Sequence, residues 1–153
     1  MNIARLLFVV HLLGFAAYLG GAYAQLEFMK RSAKSGLAAA VRDEYERLCA
    51  TTITKVELPA LIAQIASGVV NLVMTPAWLK MGWMHGKLTV VGILLVLSHL
   101  EMFNARKIVK LRAEMGDKAK AEIENRKARH QKFGSVGTFL VMALVILVGY
   151  GLK

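Results

Sequence analysis

Trp83-Met84-His85-Gly86-Lys87-Leu88 opens an apolar run that continues from Thr89 to Leu100 and carries Ser98-His99 near its end. Residues 83–103 are long enough to cross a hydrocarbon layer of about 30 Å at about 1.5 Å per residue, so the stretch reads as a membrane span. A histidine and a lysine two residues apart at its mouth, with a second histidine deeper in, are costly in lipid and point to a functional region. Three other runs have a similar character, over residues 3–28, 53–74 and 133–152. The expected fold is all-α: an integral membrane four-helix bundle forming a single transmembrane domain over residues 1–153, with helical cytoplasmic extensions.

Composition agrees. The chain is 56% hydrophobic over 153 residues, and its mean hydropathy is +0.49, above the usual soluble balance. A net charge of +10 invites a nucleic-acid reading, but sixteen of the twenty Lys and Arg fall in two segments, 30–55 and 106–132. That is the asymmetry that fixes membrane orientation, so the sequence argues for the lipid bilayer and against nucleic acid as partner. It puts loops 29–52 and 104–132 in the cytoplasm of a bacterial cell and both termini on the non-cytoplasmic side of the inner membrane. Cys49 is the only cysteine, which excludes an internal disulfide, and no Cys-x-x-Cys-His exists for covalent haem attachment. Both loops have helical character, Pro59 is placed to kink the second span, Thr75-Pro76 to end it, and Gly116 to end the third helix.

Each of the first three spans carries a polar or small stripe at steps of three and four. The first has His11, Gly14, Tyr18, Gly21 and Gln25; the second has Glu57, Ala60, Gln64, Ser67 and Asn71; the third has His85, Thr89, Gly92 and His99. These stripes are expected to face the bundle interior. Close helix packing alone accounts for Gln64, Ser67 and Asn71, whereas the histidines and Glu57 ask for more. By depth, His11, His85 and Asn71 fall in the outer half, and Gln25, Glu57 and His99 in the inner half. His11 and His85 are thus expected to meet across one cavity and are the candidate metal ligands. Two imidazoles with Gly14 and Gly21 beside them suit a planar haem b, although a histidine in a bundle also serves as a satisfied packing residue. Lys87 lies about 200° from His85 around the helix. It reads either as a cation snorkelling to the outer surface or as the partner of a carboxylate. Lys87 and Glu57 are the catalytic candidates. The methionines share no face, so copper handling survives only through His and Met at the outer rim. His130, beside Arg129, reads as an ordinary charge-cluster residue.

At this level the chain resembles the HemJ-type protoporphyrinogen IX oxidases. Trp83-Met84-His85-Gly86-Lys87-Leu88 is similar to the family's Trp-x-His-x-Lys-Leu, and Ser98-His99 to its later histidine. His11, Tyr18 and Gly21 resemble its first span, Pro59-Ala60 and Gly68 its second, and Phe133, Val136, Thr138 and Leu140 its fourth. The resemblance implies bound haem b, with His11 as an axial ligand and His85, Lys87 or His99 as the other ligand or a substrate contact, and Gly14, Tyr18 and Gly21 along the cofactor. It also implies a porphyrinogen substrate and electrons passed on to a quinone; a homo-oligomer is open. Gln25-Leu26 replaces the Pro-Arg pair expected after the first span, and Gly137 replaces a proline in the fourth. A rival resemblance, to the membrane glutathione transferase and eicosanoid synthase group, rests on Glu46-Arg47 ahead of Glu57. The alternatives to an oxidase are a non-enzymatic haem or electron-transfer protein of the same fold, and a copper-handling membrane protein.

Overall fold

The computed structural model describes residues 3–151, which contain five α-helices and no strand. They are α1 (Ile3–Ser32), α2 (Ala39–Thr52), α3 (Leu58–Met74), α4 (Gly82–Met115) and α5 (Lys120–Gly151). α2 runs on into α3 through one π-helical turn; α1 lies along α2 and α3, and α4 along α5. Three apolar stretches, Arg5–Ser32, Ala39–Met74 and Gly82–Gly151, are long and apolar enough to cross a membrane. The third holds both α4 and α5, which reverse at Gly116, where φ is +54°. Only glycine enters that backbone region without strain, so it stops the helix as expected.

The wide turn between α2 and α3 has a local cause. Proline lacks an N–H and crowds the carbonyl four residues earlier, and here the chain opens into one wide π-type turn, Ile53–Glu57, just before Pro59. The helix therefore continues rather than breaking. Residues Pro76–Lys80 make a 3-10 turn that returns the chain into α4.

The bundle has two cores. Near mid-length, Tyr18, Leu61, Leu94, Val141 and Leu144 pack together. Toward the basic end, Met29, Cys49, Ile53, Ile108 and Ile123 are buried in a second core, so the basic segments between the apolar runs are themselves packed helices. Side chains such as Leu13, Val73, Phe139 and Ile146 are left exposed on the outside.

An ion cluster ties the basic end together. Glu46, 1% exposed, accepts Lys127 Nζ at 2.8 Å and Arg112 Nη2 at 2.9 Å. Lys127 also donates to the Ser32 carbonyl at 3.0 Å, so α2, α4 and α5 are joined to the end of α1. Burial alone pushes the Glu46 carboxyl up, but hydrogen bonds from Arg112 and Lys127 outweigh it and hold the group below the usual carboxylate range.

The helix bounds differ from the sequence reading mainly at this end. α1 runs to Ser32 rather than stopping near residue 28, because Met29 and Ser32 are buried in the basic-end core. Residues 120–132 of the charged segment and the fourth apolar run form a single helix, α5.

Candidate functional site

The α1 and α3 stripes meet. A Cβ on Gly14 would lie 3.1 Å from Gln64 Cβ and 3.2 Å from the Ala60 carbonyl, and one on Gly21 would lie 3.2 Å from the Glu57 backbone. Both glycines therefore exist for the approach of α3, which is the packing reading of that stripe. They do not flank a ligand cavity. Tyr18, between them, is buried in the mid-length core.

Toward the tryptophan end α3 and α4 diverge and leave a cavity of about 430 Å³. Its walls are mostly apolar, including Phe8, Ile65, Leu72, Trp78 and Val91, while His11, Gln64, Asn71 and Lys87 supply polar groups. Volume, apolar lining and a few polar groups match the usual small-molecule site.

His11 is held in a defined orientation. Its Nδ1 lies 2.9 Å from the Gln64 carbonyl oxygen and 3.2 Å from Ser67 Oγ. Ser67 Oγ itself donates to the same carbonyl at 2.9 Å. A carbonyl only accepts, so Nδ1 carries the proton and Nε2 keeps a free lone pair. An imidazole with Nδ1–H on a backbone carbonyl is the usual supported state of a metal ligand. Gly68 makes room for the ring: a Cβ there would stand 3.1 Å from His11 Cε1.

The third stripe turns the wrong way for the expected histidine pair. His85 is exposed, with Nε2 against the Leu79 carbonyl at 2.8 Å, and is not among the residues lining the cavity. Thr89 and Gly92 are also exposed, and nothing lies within 4 Å of a Cβ on Gly92. His99 returns its Nδ1 to the Leu95 carbonyl of its own helix at 2.8 Å and is not among the residues lining the cavity. Since His85 faces outward, Lys87, roughly 200° around the same helix, faces in, and it is Lys87 that shares the cavity with His11. Lys87 is thus half-buried in the cavity wall, and no carboxylate is ion-paired to it among the described residues.

Glu57 belongs elsewhere. It sits seven residues before Gln64, about 10 Å along α3 at about 1.5 Å per residue, and is fully buried. Glu101, Ser98, Gln25, Cys49 and His130 are buried near it or toward the basic end. Among these, Glu101 and His130 escaped the sequence reading as site residues. Their signal was faint: Glu101 lies three residues beyond Ser98, on the same face, and His130 sits one helical turn before Gly134, which is also buried.

Among the described residues no three His, Cys, Asp or Glu side chains cluster as a metal set. No protein-family model, curated protein or solved structure matches the chain.

Proposed function

We propose that this chain is a four-span membrane protein, with both termini on the non-cytoplasmic side, that holds haem b in the His11 cavity and oxidises protoporphyrinogen IX to protoporphyrin IX. The observation that carries the reading is His11, with Nδ1–H fixed on the Gln64 carbonyl and Nε2 free, in the wall of an apolar cavity that also holds one lysine. The charge asymmetry between the two ends and the resemblance of residues 83–88 to the HemJ-type motif support it.

The residues fit one axial imidazole and not two, because His85 lies outside. When bound, haem b supplies a one-electron carrier inside the bilayer. His11 would hold the haem iron through Nε2, and Gln64 and Ser67 keep its ring from turning. Lys87, half-buried, offers a cation to a carboxylate of the tetrapyrrole, a charge-assisted contact strengthened by the apolar surroundings. The apolar walls exclude water. The reaction removes six electrons and six protons from the porphyrinogen, and the balance closes with three two-electron acceptors of the quinone class, each taking two of each.

Lys87→Met keeps the stem and removes the charge. It is expected to weaken porphyrinogen binding roughly five- to 150-fold, the equivalent of about 1–3 kcal/mol, while bound haem stays in place. The measurement is anaerobic oxidation of protoporphyrinogen at limiting substrate, with a quinone as acceptor. Full activity in the variant shows that the lysine makes no substrate contact. Haem binding with no oxidation in the unaltered protein makes the chain a haem or electron-transfer protein instead.

A further inference from the structure

The bundle contains a second polar group that the cavity does not use. Glu57, contributed by the wide turn before α3, is fully buried, and neither of its carboxyl oxygens has a hydrogen-bond partner. Glu101, on α4, is 6% exposed, and its Oε1 is also without a partner. The two lie within electrostatic reach of one another. Around them stand Tyr18 and Gln25 of α1, Cys49 of α2, Ser98 of α4 and His130 of α5. The Ser98 hydroxyl lies toward Glu57 and Tyr18 without closing a well-formed hydrogen bond to the carboxylate.

No lysine or arginine is ion-paired to either carboxyl group among the described residues. Two buried carboxylates without a cation repel each other, and each pays the desolvation cost of a charge in apolar surroundings. The contrast with Glu46 is direct: Glu46 is buried to the same degree but has two cations against it. Glu57 and Glu101 have none, so the group relieves its charge by keeping protons.

The two sides of the pair differ. Toward the cavity, Tyr18, Leu61 and Leu94 form an apolar plug. Toward the basic end, Gln25 is turned to Glu101 with its amide nitrogen, because its Oε1 is taken by Cys49 Sγ at 3.5 Å and by His130 Nε2. That contact places the proton of His130 on Nε2 and leaves Nδ1 bare, buried and without a partner. The imidazole edge that meets Gln25 is thus an N–H donor, and the bare nitrogen is the other one of the ring.

We infer that Glu57 and Glu101 form a shared proton-binding site inside the bundle. The ligand is the proton. The step is a simple dissociation, in which an O–H bond of the pair breaks and the proton passes to water or hydroxide, leaving one more negative charge on the pair. The inference does not rest on the haem reading and holds for the chain without cofactor.

The test is pH-difference infrared spectroscopy of the full chain in lipid nanodiscs, without added haem. The unaltered protein should show the C=O stretch of a protonated carboxyl at neutral pH, lost on titration with alkali. Glu57→Gln and Glu101→Gln should each change the pH at which the signal disappears, and the double variant should abolish it with helix content unchanged. A fully ionised set of carboxyls at neutral pH in the unaltered protein overturns the inference without recourse to any variant. So does a signal that survives the double substitution. Loss of the signal on adding sodium or magnesium ions at constant neutral pH also overturns it, and makes the group a cation site.

Discussion

Glu46→Leu is expected to destabilise the folded chain by about 3–5 kcal/mol, because it leaves Lys127 buried without its main counter-charge. The Lys127 side chain is 2% exposed, and its remaining carboxylate contact, with Glu124, is longer, at 3.4 Å. Lys127→Met should cost clearly less, since Arg112 still neutralises Glu46 through two hydrogen bonds, at 2.9 and 3.2 Å. The double variant should recover most of the loss, as a buried ion pair replaced by apolar groups usually does. Reversible unfolding in mixed micelles measures all three, and additive losses would show that the pair is not coupled. The pH dependence has a definite sign. The folded Glu46 carboxyl lies below its ordinary value, so its contribution is complete above the ordinary carboxylate range and is lost as pH falls through the depressed value. Acid, and not alkali, should therefore narrow the gap between the unaltered protein and Glu46→Leu.

Gly21→Leu should damage the packing of the α1 face on α3. A Cβ at that position already stands 3.2 Å from Glu57 N, Cα and Cβ, which are backbone or directly attached to it and cannot swing aside. Overpacking of this kind costs about 1–3 kcal/mol. Gly20→Leu is the matched control, because nothing lies within 4 Å of a Cβ there. The same unfolding assay should separate the two neighbours, and equal effects would remove the close approach of α1 and α3 from the account.

Why the helices were legible and the site only partly so follows from what periodicity encodes. Apolar length and charge runs mark where helices lie, and Thr75-Pro76 and Gly116 end them for local reasons that the sequence states outright. A stripe at steps of three and four says which residues share a face, but not which way the face turns. On α1 and α3 the stripe does face a neighbour, and His11 meets Gln64 and Ser67. On α4 the same pattern faces out, and the pairing of His11 with His85 fails for that reason alone. The glycines carry the same ambiguity, since room for a macrocycle and room for a helix look alike in sequence. Glu101 and His130 were hidden by context: each lies beside or within a charged segment whose ordinary fate is solvent. Here those segments fold back as a second core, and burial follows from contacts between residues as distant in sequence as Gln25 and His130.

The claim on which the functional account depends is that Nε2 of His11 is an axial ligand in the outer cavity. It is tested most directly by the absorption spectrum of the detergent-purified full chain titrated with haem b, compared with His11→Ala and His85→Ala. The account predicts stoichiometric binding with a Soret band, loss or a large change of that band in His11→Ala, and no change in His85→Ala. A protein that folds but takes up no haem would contradict it, as would a spectrum that depends on His85 and not on His11.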